Sequence, residues 1–466
     1  MKDQGDTANA LSINGIFPGL CMKAGLGPPR TECGVGAMVG FAERLWVVTY
    51  VSSKSRSGVG TGLFEIDERL SMTRRPESYV GTYTNRYVHY PTNQLIIGPH
   101  VIDAERNVRT IESLLEIRLC STMTHLTDPD RKVYMLGMEG ELFELDVGTL
   151  KTARLAELAE VLQVPGGQVQ AHFKAAYSCF GRVVVANNSY DERDFRGEQS
   201  SGRLAEWDGG EWRILDRSPY VEVAGRGGFA GTMFATGWDR ASALLNVYTE
   251  AGDTWTRYRL PKASHTFDHM WQTEWPRIRE VDHERFLMDC HGMFYELSPW
   301  AYGGRVWGVR PISTHLWVLG DFCNYRGMLV LGSDGVSCLG GDNVLCGEPM
   351  SALWFGKTDD LWRFGKPAGW GGPWWNADVK AGAPSDPYLM TGFDKKCLHL
   401  CHESAEKVAF TVEVDFLGSG EWKTYETFPV PPGRYVHHEF ADGFSAHWVR
   451  LTADRDCAAT AYLTYT

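Results

Sequence analysis

The chain has 466 residues, 43% of them hydrophobic and 22% charged, with a net charge of −12 at pH 7. That charge excludes a general nucleic-acid or acidic-membrane surface, and no window approaches the roughly 20 apolar residues of a bilayer span. Aromatic residues make up 12%, with 17 Trp: core filler in an all-β fold, or, where exposed, rings that stack on sugars. Met1–Ala10 is polar and lacks the apolar stretch of a signal peptide. The eleven cysteines are scattered without a CxxC pair, so they read as buried free thiols of a reducing compartment. Both features favour the cytoplasm, or a secreted or periplasmic protein if a leader was removed ahead of Met1.

In chain order, short apolar strands alternate with Gly, Asp and Asn turns, which predicts an all-β chain. One unit recurs: an apolar strand, a turn, then Gly, a few apolar residues and an acidic end. Leu45–Val51 leads to Gly62–Asp67, Lys132–Met138 to Gly140–Asp146, Arg182–Ala186 to Gly202–Asp208, and Arg285–Asp289 to Gly292–Leu297. The anchors Leu63, Leu142, Leu204 and Met293 are 79, 62 and 89 residues apart, against about 40–50 for a four-stranded blade. The first and third gaps therefore hold two blades each, with degenerate hairpins at Gln94–Arg109 and Leu244–Leu260. The middle gap holds one blade and a polar loop, Asn187–Ser201. A last hairpin at Met328–Cys338 brings the expected count to seven.

Helical spacing appears once, over Leu150–Leu162, with a Pro-Gly-Gly stop at Pro165–Gly167. Residues 1–355 are thus expected to form a seven-bladed β-propeller, and 356–466 a β-rich segment. Within it Gly365–Pro384 reads as an irregular connection. Longer strands follow at Val408–Phe416, Trp422–Val430, His447–Thr452 and Thr460–Thr466. This segment either closes the ring or forms an appended sandwich.

No P-loop, dinucleotide fingerprint, HExxH or GxSxG is present. Histidines stand shortly before apolar strands in several units: His125, His172, and the group His265, Asp268 and His269. Blades gather equivalent loops around one channel, so convergence of these residues would suit acid/base work or a divalent metal such as calcium. The metal-like group Cys397, His399, Cys401 and His402 lacks a second ligand pair at zinc spacing. A second constellation, Asn85-Arg86-Tyr87-Val88-His89-Tyr90, is too polar for core packing. A histidine there can move a proton near neutral pH, and arginines such as Arg86, Arg277, Arg279 and Arg310 fit a carboxylate.

The Asn85–His89 segment, followed by Asn93–Pro99, resembles seven-bladed propeller enzymes acting on the L-rhamnose-α-1,4-D-glucuronate cap of arabinogalactan. Those enzymes were first filed as rhamnosidases and are now regarded as lyases. The likeness runs through His125–Pro129, Ala186–Asn188, Leu204–Gly209, Arg259–His265, Thr273–Arg279, His291–Phe294, Arg310–Thr314 and Gly320–Cys323. It covers most of the first 325 residues in order. Departures stand at Gly225–Gly228, at Phe267–Trp271 and at His100, where an aromatic residue is more usual.

The resemblance implies a polysaccharide lyase that cleaves by β-elimination. A base removes H5 of the glucuronate after a cation has neutralised its carboxylate, and the 4-linked rhamnose leaves. It places the catalytic histidine on His89, with Arg86 orienting or neutralising beside it. His125, His172, Lys174, Tyr177, His265, Arg277, His291 and Arg310 are the pocket candidates. The implied partner is an acidic plant-type oligosaccharide or polysaccharide, met by a monomer that needs no certain cofactor. A glycoside hydrolase using two carboxylates, among which Glu274 and Asp321 are available, and a non-catalytic carbohydrate-binding propeller are the alternatives.

Overall fold

The computed structural model describes residues 15–16, 22–23, 33–51, 62–166, 169–191, 201–265, 268, 273–301, 304–306, 308–335 and 350–466. Alternating apolar residues pair into antiparallel four-stranded units that follow one another along the chain. Their innermost strands are β1 (Cys33–Phe41), β2 (Arg86–His89), β3 (Leu119–Thr124), β4 (Phe173–Cys179), β5 (Tyr220–Arg226), β6 (Arg277–Asp282) and β7 (Leu319–Tyr325). From β3, for example, pairing passes outward to Lys132–Gly137, Glu141–Asp146 and Thr152–Glu157. Each innermost strand touches the next, and β7 touches β1, so the circuit closes. The chain is an all-β propeller.

Packing between units supplies the core. A four-stranded sheet alone leaves one apolar face exposed, and here Phe64, Phe294, Phe322 and Phe355 meet in one cluster drawn from several units. At Gly36 a Cβ would lie 1.9 Å from the carbonyl oxygen of Tyr83, so the approach of that loop to β1 requires glycine. The anchors Leu63, Leu142, Leu204 and Met293 each fall in the third strand of a unit, so the sequence repeat is a repeat of position.

Side-chain bonds between β2, β3 and β4 fix their relative direction. Asn85 Nδ2 donates to Thr122 Oγ1 and Tyr87 Oη meets Thr124 Oγ1, while Ser121 donates to Ala176 O and Ser178 to Thr124 O. Position rises together on all three, so these strands run parallel and share one N-terminal end. The pairing of β3, β4, β5 and β7 with their outer neighbours skips one residue immediately after the first: Cys120, Lys174, Val221 and Gly320. Such bulges re-aim side chains, and they do so here beside the central channel.

The last unit runs from β7 through Met328–Gly335 and Leu353–Gly356 to Gly15–Ile16. An N-terminal strand thus completes the final blade. Residues 369–465 contribute two further sheets. One pairs Gly369–Val379, Cys457–Tyr465, Lys396–His402 and Val436–Glu439 in that order. The other pairs Tyr388–Leu389, Trp448–Ala453, Val408–Asp415 and Lys423–Val430. This second sheet continues the β5 blade through a parallel bridge from Arg259 to Tyr388.

Three local expectations change. Leu150–Leu162 is a strand, Thr152–Glu157, with one helical turn at Leu158–Val161; backbone pairing to Glu141–Leu145 outweighs the propensity of a stretch too short for a stable helix. Gly365–Pro384 contains the 11-residue strand Gly369–Val379, which tolerates its glycines and proline because it is bulged and lies at a sheet edge. The described part of Met328–Cys338 is a single strand, Met328–Gly335; its end lies outside the described residues, as does 192–200 of the Asn187–Ser201 loop.

Candidate functional site: the central channel and its mouth

Polar residues on the innermost strands line a cavity of about 300 Å³ on the axis, among them Arg86, Lys174, Tyr177, Glu222, Arg277 and Arg279. Arg86, Glu222, Arg277 and Arg279 in its wall belong to a buried ion network around Asp321. Asp321 Oδ2 accepts from Arg86 Nε at 2.7 Å and from the Met38 amide at 2.8 Å, while Oδ1 accepts from Arg279 Nε at 2.9 Å. Arg279 Nη1 reaches Glu222 Oε2 at 3.2 Å, and Arg277 Nη1 lies 3.5 Å from the same oxygen. Burial alone would raise the Asp321 carboxyl; Arg279, Arg86, Arg277 and the Met38 amide overcome it and hold it below the usual range. Burial would likewise lower Arg279, but Asp321 and Glu222 raise it.

A second group sits at the N-terminal end of the same strands. Lys174, the bulge residue of β4, places Nζ 3.2 Å from Glu274 Oε2. Asn188 Nδ2 donates to Glu274 Oε1 at 3.2 Å, and His172 Nδ1 lies 4.0 Å from Oε2. Lys174 Nζ and Arg277 Cζ each stand 4.9 Å from the Trp275 ring, a cation–π arrangement on a buried indole. Burial drives the Glu274 carboxyl above its ordinary range, with Lys174 and the Asn188 amide only partly opposing it. Glu274 therefore holds a proton to higher pH than a solvated glutamate does, beside a half-buried imidazole and the Lys174 ammonium.

The other sequence candidates do not join this group. His89 closes β2, at the opposite end of the innermost strands. Its Nδ1 is 2.7 Å from Thr92 Oγ1 and its Nε2 is 2.9 Å from Pro129 O. The carbonyl requires the proton on Nε2, Thr92 occupies Nδ1, and the residue is fully buried; it does not line the channel.

His125 lies at that same end. It bonds Glu144 Oε2 at 2.9 Å through Nε2, accepts the Thr127 and Asp128 amides on Nδ1, and stacks on Tyr134. His291 is buried against Trp238, and Arg310 lies over Trp362 on an outer strand. His265 stacks on Trp370 outside the ring, at 4.0 Å. The expected convergence of His125, His172 and His265 is thus corrected: successive units present their histidines at different ends and radii. His269 lies outside the described residues, and Asp268 pairs with Lys262.

Among the described residues no group of three His, Cys, Asp or Glu side chains is placed to hold a metal. The buried thiols are inert: burial pushes Cys290 and Cys323 up to about 12.

Glu222 was not legible as a site residue, although an acid inside the apolar run Tyr220-Val221-Glu222-Val223 is the signal that could have found it. Asn188 and Trp275 stood in recognisable segments without an assigned role.

No family model and no curated protein matches the chain. Solved structures similar to it include the β-propeller domain of Cps50 (Swd1) from Myceliophteria thermophila, at 11% identity over 73% of this chain and 98% of that one, with a TM-score of 0.41. The WD40 propeller domain of Doa1 is similar at 12% identity over 74% and 99%, with a TM-score of 0.39. A luciferin-regenerating enzyme follows at 7% identity over 74% and 94%, with a TM-score of 0.38. The propeller architecture rests on the strand pairing itself.

Proposed function

We propose that this protein is a seven-bladed propeller lyase that cleaves a 4-linked uronate in an acidic glycan by β-elimination, at the channel mouth built from His172, Lys174, Glu274 and Arg277. One observation carries the reading: a buried carboxyl whose proton affinity burial raises lies 3.2 Å from a lysine and 4.0 Å from a histidine nitrogen. Elimination needs these three functions. Lys174 and Arg277 neutralise the uronate carboxylate, which acidifies the adjacent C5–H. His172 takes that proton, the C4–O bond breaks as the C4–C5 double bond forms, and Glu274 gives its proton to the departing oxygen. The resemblance of the sequence to enzymes of rhamnose-capped glucuronate supplies the substrate class. It also implies His89 as the base, but both ring nitrogens of His89 are engaged by protein groups, which favours the mouth.

The test is incubation with rhamnose-capped glucuronate oligosaccharide, following ultraviolet absorbance and released rhamnose together. Both signals are expected. Rhamnose without absorbance would identify a hydrolase, and neither signal would remove the enzymatic reading. His172→Ala and Glu274→Gln are each expected to lower kcat/KM by about 100-fold or more. Full turnover in both, with turnover lost in a folded His89→Ala protein, would move the site to His89.

A further inference from the structure

The sheet made of Gly369–Val379, Cys457–Tyr465, Lys396–His402 and Val436–Glu439 buries one face and leaves the other to solvent. Successive residues of a strand point to opposite faces, so Leu398, Leu400, Ala459, Ala461 and Leu463 enter the core while His399 and Tyr462, which face each other in the register, lie on the outer side. Yet that outer side is aromatic. Trp375 is 40% and Tyr435 57% exposed, and with Tyr462 and His399 they border a cavity of about 570 Å³. A sheet whose inner face is already covered gains no core from such rings, and a clustered exposed aromatic patch marks a binding surface.

The rings are held ready. His399 Nδ1 lies 2.6 Å from Tyr435 Oη and Nε2 lies 3.1 Å from Thr464 Oγ1, so one imidazole ties the platform to two strands. Tyr435 stacks on it with an interplanar angle of 18°. The register of Gly369–Val379 passes from Trp374 opposite Ala461 to Ala377 opposite Ala459, leaving Trp375 and Asn376 against the single residue Thr460. That bulge, with Asn376 at φ 45°, turns the Trp375 ring out of the sheet. Arg240, from the propeller, lies 5.8 Å from the Trp375 ring.

Thr464 also borders a neighbouring cavity of about 750 Å³ that runs to the propeller edge, where His265 stacks on Trp370. The two cavities therefore adjoin along one face.

We propose that this face is a second glycan-binding site, distinct from the channel mouth, which holds an oligosaccharide chain across the joint between propeller and appended sheets. A pyranose offers a flat face of C–H groups and a rim of hydroxyls. The outer sheet offers flat rings with Asn376, Glu403 and Arg240 at their rims, and the adjoining cavities suit a ligand of several linked rings. A nucleic acid would stack on the same rings, but a net charge of −12 opposes it. The proposal does not depend on elimination chemistry and stands if the mouth proves inactive.

The test is native electrophoresis of the full chain through gels cast with gum arabic, polygalacturonate or xylan. Retardation is expected in at least one gel. Trp375→Ala and Tyr435→Ala should each weaken it by about tenfold, the worth of one ring contact, and Trp375→Phe should restore most of it. Circular dichroism and melting temperature identify folded variants; should Trp375→Ala not fold, Tyr435→Ser carries the test, because that side chain is mostly in solvent. His172→Ala, at the mouth, should leave retardation unchanged. Absence of retardation in all three gels would overturn the proposal. So would retardation that folded platform variants retain, or that His172→Ala alone abolishes.

Discussion

At the scale of single residues, Asp321 and Glu274 are both buried carboxyls beside cations, yet their proton affinities move in opposite directions. Asp321 accepts from two guanidinium groups and an amide, and Glu274 has one ammonium and one side-chain amide against the same penalty of burial. Removing Asp321 strands two partly buried arginines, so Asp321→Leu is expected to cost about 3–5 kcal/mol of unfolding free energy, measured by denaturant titration. A carboxyl depressed in the folded state stabilises it above the unfolded value, and that contribution fades as pH falls through the folded one. Asp321 therefore resists acid until below the ordinary aspartate range. Glu274 has the reverse sign: the folded state binds its proton more tightly, so stability falls as pH rises above the ordinary glutamate range. Melting temperatures taken from pH 5 to 8 should show Glu274→Gln gaining on the wild type as pH rises; a constant difference would contradict the raised affinity. His89 is held by two bonds in a fully buried position, and His89→Ala should lose about 2 kcal/mol through them.

At the scale of strands, most of the propeller was legible because its signal is local. Gly, a few apolar residues and an acid recur at the third strand of four units, so Leu63, Leu142, Leu204 and Met293 mark equivalent places. The channel was legible only in part. Arg86, Lys174, Tyr177 and Arg277 reach it, but whether a residue beside a strand end faces the axis depends on a bulge and on which end of the strand it occupies. His125 and His172 both stand near an innermost strand in the sequence, one after β3 and one before β4, and the parallel course of those strands separates them. Nor does any local pattern show that Gly15–Ile16 pairs with Trp354 and Phe355, because pairing across more than 300 residues leaves no spacing to read. That strand covers what is otherwise an open edge at Leu353–Gly356, and open edges invite association between chains. Deleting residues 1–20 is expected to lower the melting temperature and raise light scattering on concentration. A truncated protein as monodisperse and as stable as the full chain would mean that the edge needs no cover.

At the scale of the whole molecule, propeller and appended sheets share one core. Phe234, Leu245, Tyr295 and Leu260 from the blades pack in the same buried cluster as Tyr388, Phe410, Val449 and Trp448 from the sheets. Polar ties reinforce the joint: Arg259 bonds Asp239 within the propeller and Asp386 beyond it, and Lys262 exchanges two backbone bonds with Trp370. Tyr258 lies 4.6 Å from the Trp448 ring. Interfaces between independent domains are usually more polar and permit relative motion, whereas a continuous apolar core couples the two parts. Calorimetry of the full chain should therefore show one unfolding transition, with no earlier step for residues 369–465. Removal of everything after residue 366 would bare Leu245, Leu260 and Tyr295 along the β5 and β6 blades, and the remaining propeller should aggregate. Two resolved transitions, or a well-behaved propeller after that deletion, would show that the shared cluster does not bind the parts into one unit. A single transition would instead make the joint rigid, and the two adjoining aromatic cavities that cross it would present one fixed surface to a glycan.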